Sequence, residues 1–369
     1  MTRRECLGAL ASAPFWGCGR EPHVLRARRR GVEFLESQQH SDGSWRSRTY
    51  GLLAGGDSLT ALITSTLAGI DPASEAVSRG LDYLAARRRN APLGLADPAL
   101  PDYPVFSHSL AVQACVQASD VHARDLKFLL SRQFQESAGW TPESAPYGAW
   151  GMGAAVYPPP EAGHVDLSMT RHALEALRAA DIQADAEPLR RARIFVERLL
   201  HDDGGFHFST VVPEANKAGR GADRWNSYGT AVADGIRSLE ALALPSDASR
   251  IWLVRNHQRG IVSGFEHHPD ARWKDGLWFY YIASAAPFLA PSQRQKLGEE
   301  LVDRQAEDGS WANPEPLVKE DDPLIATPLA LQALSEPARP SRRPGFSSPR
   351  RPSPSSRTLS AIPPDRSRA

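Results

Sequence analysis

One structural unit recurs along this chain, and a recurring unit constrains a fold more than any single motif does. Each copy has an amphipathic helix, a connector rich in Gly, Trp and Pro, and a second, more apolar helix. The first copy runs from Arg28 to Ile70. Its opening helix carries Val32 and Leu35 beside Glu33, Glu36 and Gln38. Its second helix carries Leu59, Leu62, Ile63, Thr66 and Leu67 at the 3.6-residue spacing of a helix that buries one face. Further copies begin near Ala73, His122, Glu187, Asp247 and Pro291, and the last ends near Leu334.

Six such hairpins predict an all-α fold, the (α/α)6 toroid. The less charged second helices form an inner barrel and the amphipathic first helices an outer one. The alternative is an open solenoid, which needs a polar cap at each end. Neither end unit looks like such a cap, so the ring is expected over residues 28–335.

The connectors carry a resemblance. Gln39-His40-Ser41-Asp42-Gly43-Ser44-Trp45 and Gln305-Ala306-Glu307-Asp308-Gly309-Ser310-Trp311 share Gln-x-x-Asp-Gly-Ser-Trp. Weaker copies are Gln133 with Gly139-Trp140, and Asp202-Asp203-Gly204-Gly205-Phe206. This pattern resembles the Q-W repeat of squalene-hopene and oxidosqualene cyclases, in the terpene-cyclase and prenyltransferase-repeat superfamily. Asp-Gly suits a tight turn, because Gly tolerates positive φ. The Gln suits backbone groups left open at a helix end. The resemblance implies that Gln39, Trp45, Gln305 and Trp311 are structural ties rather than catalytic residues. The fourth and fifth units, with Trp225-Asn226-Ser227-Tyr228 and Trp278-Phe279-Tyr280-Tyr281, resemble bacterial prenyltransferase/squalene-oxidase repeat proteins of unsettled activity. Their aromatics sit where connectors enter the inner helices. Trp225, Tyr228, Trp278 and Tyr280 are therefore the candidate ligand-binding residues, with core packing as the alternative role.

Catalytic signals are weaker. A squalene-type cyclase protonates an alkene with an Asp-x-Asp-Asp motif, and the nearest stretch here is Lys319-Glu320-Asp321-Asp322. Asp321 and Asp322 are the candidate acids, although Lys319 stands where the motif has its first Asp, and N-capping of the sixth inner helix is the favoured account of the rest. No metal site is expected. Cys115 lies in an apolar helix, the nearby His164, Asp166 and His172 fit no zinc motif, and capping accounts for Asp166. No cofactor is implied. A glycan-processing toroid would need a carboxylate pair, which Glu161, Asp166, Glu214, Asp275 and Asp322 contain in some combination.

The two ends differ from the repeats. Residues 1–18 read as an export signal: Arg3-Arg4 precedes a short apolar stretch, and Gly17-Cys18 resembles a lipoprotein cleavage site, with Cys18 as the lipid-attachment residue. Residues 19–27 read as a linker. Residues 336–369 are rich in Pro, Ser and Arg, and read as a disordered tail. The 369-residue chain has 43 basic and 43 acidic residues. That balance argues against nucleic acid as a partner. The expectation is an exported toroid in the periplasm or cell envelope, held to the membrane by a lipid. It binds an apolar, isoprenoid-like molecule or a partner protein in its central cavity. The alternatives are a divergent terpene cyclase or prenyltransferase-like enzyme, a glycan-processing toroid, and a cytoplasmic location should the signal not function. Whether the ring is catalytic stays open at this point.

Overall fold

The computed structural model describes residues 21–335, apart from 96, 98–100, 120–122, 154 and 267. The stretch read above as an export signal, with Cys18, and the stretch from 336 read as a tail lie outside the described residues. Thirteen α-helices are formed among the described residues: α1 (His23–Ser37), α2 (Asp57–Ala68), α3 (Glu75–Asn90), α4 (Pro104–Gln117), α5 (Ala123–Ser131), α6 (Leu167–Ala179), α7 (Glu187–Leu199), α8 (Gly229–Ala241), α9 (Asp247–Asn256), α10 (Trp273–Gly276), α11 (Trp278–Ala285), α12 (Pro291–Arg304) and α13 (Pro323–Ala333). The α1 helix starts at His23, within the stretch read above as a linker. Short 3-10 turns and isolated β-bridges accompany these helices.

The inner helices α2, α4, α6, α8, α11 and α13 pack in that order, and α13 returns to α2. The outer helix α1 packs on both α12 and α13, so the last unit meets the first in both layers. This is the expected (α/α)6 toroid, closed rather than solenoidal. Burial separates the two layers. Every residue of α2 is buried, whereas α1 buries only Ala27, Gly31 and Leu35. A helix enclosed on all sides has no polar face to keep, which is why the inner sequences read as apolar and small.

The Gln and Trp motifs tie the layers together. The Gln39 amide donates to Gly43 O at 3.0 Å and to Ala76 O, near the start of the next outer helix, at 2.9 Å. Gln305 donates in the same way to Gly309 O and to Ala27 O, both at 2.8 Å. The tie therefore serves the following unit, not the helix that precedes it. Each fully buried Trp ring donates back to its own outer helix: Trp45 Nε1 to Leu35 O at 2.7 Å, and Trp311 Nε1 to Leu301 O at 2.8 Å. The Trp backbone N–H groups donate to Thr60 and Thr327 on the inner helices, each at 3.0 Å. One motif thus bonds two outer helices and one inner helix.

The third copy corrects the sequence pairing. Gln133 is tied to Gly148 O at 3.0 Å and to Pro188 O at 2.7 Å. Its partner Trp is Trp150, which donates to Leu129 O at 2.8 Å and is bonded at its own N–H by Thr170. Trp140 instead donates to Tyr157 O at 2.9 Å. An inserted loop separates Gln133 from Gly148-Ala149-Trp150, so local spacing hid the match. In the fourth unit Phe206 fills the Trp position and is fully buried.

Candidate functional site

Every long connector runs from an outer helix to the start of an inner one, so all six converge on the same mouth of the inner barrel. There they enclose a cavity of ≈ 400 Å³. Each unit contributes an apolar side chain to its wall: Leu59, Phe106, Met169, Phe208, Leu277 and Leu329. The polar groups on the wall are few. They include Lys217, Lys319, His164, Asp166, Glu320 and the hydroxyl-bearing Tyr228 and Tyr280. An apolar pocket with a handful of placed polar groups is the usual character of a small-molecule site.

The carboxylates on the wall already have work to do. Asp166 caps α6 by accepting from Met169 N at 2.8 Å, and its other oxygen lies 3.2 Å from His164 Nε2. Glu320 caps α11 from the neighbouring connector. It accepts from Phe279 N at 2.9 Å, Tyr280 N at 2.8 Å and Asn313 Nδ2 at 2.9 Å. Burial pushes Glu320 up to about 7, against the pull of those three donors.

Beneath the cavity a charged network crosses the inner barrel. Arg171 of α6 donates to Asp234 of α8 at 3.1 Å, to Ser284 of α11 at 3.0 Å and to Glu175 at 2.8 Å. The Tyr280 hydroxyl sits between them. It donates to Asp234 at 3.1 Å, accepts from Arg171 at 3.1 Å and bonds Ser168. Burial would raise Glu175, but the Arg171 and Arg237 guanidiniums outweigh it and hold this carboxyl at about 2. Burial raises Asp234 despite Arg171, and burial together with Arg171 drives His172 well below its ordinary value. Sequence reasoning passed over this network. The available signal was charge on an inner helix, as at Asp234 within Ala231-Val232-Ala233-Asp234-Gly235.

The structure distributes the candidate residues as follows. Tyr228 and Tyr280 line the cavity. Trp278 is buried behind the wall, with the Arg304 guanidinium 3.9 Å above its ring. Trp225 is half-buried outside the cavity, beside Arg220. Asp322 caps α13 through Leu324 N at 2.9 Å and accepts from Ser47 Oγ. Asp321 accepts from the Tyr50 hydroxyl, which burial and that carboxylate push up to about 12. These two aspartates join the last connector to the first, while Lys319 and Glu320 present the adjacent stretch of cavity wall. The sequence offered neither Lys217 nor Lys319 as a binding residue, since nothing local distinguishes a lysine that faces inward.

A second polar cluster lies outside the cavity. Ser227 Oγ is 2.9 Å from His201 Nδ1, and His201 Nε2 is 3.0 Å from His207 Nδ1. Burial, with His201 beside it, lowers His207 to about 4.

Comparison with solved structures now bears on the ring and its cavity. The type II terpene cyclase MstE from Scytonema superposes with a TM-score of 0.52 at 11% identity, over 85% of this chain and 97% of that one. The chain shares the α/α toroid fold of that cyclase. At this identity the likeness is one of fold alone. A single-substitution variant of the Scytonema cyclase, in complex with its substrate geranylgeranyl dihydroxybenzoate, gives a TM-score of 0.51 over 85% of this chain and 96% of that one. A GH76A α-1,6-mannanase from Salegentibacter aligns more loosely, with a TM-score of 0.46 at 14% identity over 85% of this chain and 100% of that one. No protein-family model matches the chain, and no curated protein matches it.

Proposed function

We propose that this protein binds an apolar, isoprenoid-like molecule in the cavity at the mouth of its inner barrel. The observation that carries this reading is the wall itself: ≈ 400 Å³ enclosed by aliphatic and aromatic side chains from all six units. The terpene cyclase of the same fold binds geranylgeranyl dihydroxybenzoate, which supports an isoprenoid over a sugar. Burying such a chain stabilises the complex by about 25 cal/mol for each Å² of apolar surface removed from water. The test is native mass spectrometry of protein purified from its own membranes, followed by titration with farnesol. A co-purified isoprenoid or saturable farnesol binding that weakens in Phe106→Asp supports the reading. Absence of both would sink it.

A second reading, an active cyclase-like enzyme, draws on Asp166. One oxygen of this buried carboxyl faces only His164, and Asp166 is on the cavity wall. Product analysis after incubation with geranylgeraniol tests it: a cyclic product lost in Asp166→Asn supports catalysis, and unchanged substrate with the wild-type chain rejects it. Export and lipid attachment at Cys18 complete the proposal. Cys18→Ala should move the protein out of the membrane fraction, and unchanged fractionation removes the anchor.

A further inference from the structure

We propose that the ligand of the central cavity carries an anionic head, a carboxylate or a phosphate, which docks on Lys217 and Lys319. The inference rests on the reading of that cavity as an apolar ligand site, and it names the ligand class.

Both lysines line the cavity. Among the described residues neither lies within 4.0 Å of a carboxylate oxygen, although arginines there make ion pairs throughout. Each amine lies instead against aromatic faces, and Lys217 Nζ also donates to the Ala215 carbonyl at 3.4 Å. Lys217 Nζ is 4.5 Å from the Phe208 centroid and 5.6 Å from that of Trp273. Lys319 Nζ is 5.7 Å from the Tyr50 centroid and 5.9 Å from that of Tyr103. Aromatic faces attract and orient a cation without neutralising it. The positive charge at the mouth is therefore placed without an ion pair, and Asp166 and Asp234 act on Lys217 only from beyond 4.0 Å.

The nearby acids are committed elsewhere. Asp166 caps α6 and faces His164, and Glu320 caps α11 with three donors. Two further inner helices, α4 and α8, begin with no side-chain cap, at Tyr103 and Tyr228 on the cavity wall. Their positive ends add to the field of the lysines. The backbone also yields here. Lys319 has φ +69° and Tyr103 has φ +41°, left-handed values that β-carbon-bearing residues avoid. Strain of this kind gathers where a ligand is clamped.

A neutral hydrocarbon in this cavity would strip water from both amines and return no counter-charge, which is unfavourable. An anionic head removes that penalty while its chain fills the apolar part. Burial already lowers the Lys217 amine, with Asp166 and Asp234 opposing only from a distance. A bound anion would reverse that direction.

The test compares three probes of one chain length, namely farnesol, farnesoic acid and farnesyl phosphate, by tryptophan fluorescence titration of the full chain. The expected result is that one or both anions bind about tenfold or more tightly than farnesol, the scale of one charge-assisted hydrogen bond. Which anion is preferred tells a carboxylate ligand from a phosphate one. The preference should shrink in Lys217→Met and in Lys319→Met and persist in Lys217→Arg. Measuring the single variants separately keeps the test intact should one of them fold poorly. Farnesol binding as tightly as both anions overturns the head-group inference and leaves the cavity reading standing. An anion preference that survives both Met substitutions also overturns it. If none of the three probes binds, the cavity reading fails first and takes this inference with it.

Discussion

Gln305 donates to the backbone carbonyl of Ala27 across 278 residues of sequence, at 2.8 Å. This bond closes the outer ring, repeating between the last unit and the first what Gln39 does between the first and the second. Gln305→Ala should therefore lower stability by about 1–3 kcal/mol, the range for leaving a buried acceptor unpaired. Gln39→Ala should cost a similar amount. Urea denaturation of both variants checks this, and a loss confined to Gln39→Ala would mean that closure contributes nothing.

Trp311 is fully buried, and its indole bonds Leu301 O. Trp311→Ala should destabilise the fold by about 3–5 kcal/mol, the usual range for aromatic truncation in a core. A melting temperature equal to that of the wild type would contradict its role as a tie.

Gly148 tests the revised third copy. It has φ +85°, and a β-carbon there would lie 1.9 Å from the Arg191 carbonyl. Gly163 also has positive φ, +64°, but faces open space. Gly148→Ala should abolish stable folding or cost several times what Gly163→Ala costs, which is about 1 kcal/mol from the left-handed conformation alone. Thermal melts of the two variants decide it, and equal effects would reject the pairing of Gln133 with Trp150.

Arg171 holds Asp234 and Glu175 inside the barrel. Arg171→Met leaves the buried Asp234 without its cation and Glu175 with Arg237 alone, and should cost about 3–5 kcal/mol. Arg29, exposed and paired only with Glu21 and Glu33, serves as the control, and Arg29→Met should leave the denaturation midpoint unchanged. Similar midpoints for the two variants would show that the network contributes no stability.

His207 introduces acid sensitivity. Burial lowers it from an ordinary value of 6.5 to about 4, so the folded chain takes up this proton less readily than the unfolded one. The contribution to stability is complete above about pH 6.5 and is lost as pH falls through about 4. After allowance for solvent screening it is on the order of 2 kcal/mol. Denaturation at pH 7 and pH 5 should show a drop for the wild type that is reduced in His207→Gln. An identical pH dependence in both would assign the sensitivity to other groups.

The sequence alone determined the number of units, the division into amphipathic and apolar helices, and two of the three Gln–Trp ties. These follow from periodicity and short spacing, which record how each segment divides between core and solvent. Periodicity does not say which distant segment will be the neighbour. Ring closure through Gln305 and Ala27, the match of Gln133 to Trp150 across an inserted loop, and the meeting of Arg171 with Asp234 and Ser284 were decided by packing. So was the inward placement of Lys217 and Lys319, where a charge ordinarily spent on solvent stands at the edge of an apolar cavity. Local sequence is the same for a lysine facing water and one facing a cavity, and only the closed ring separates the two.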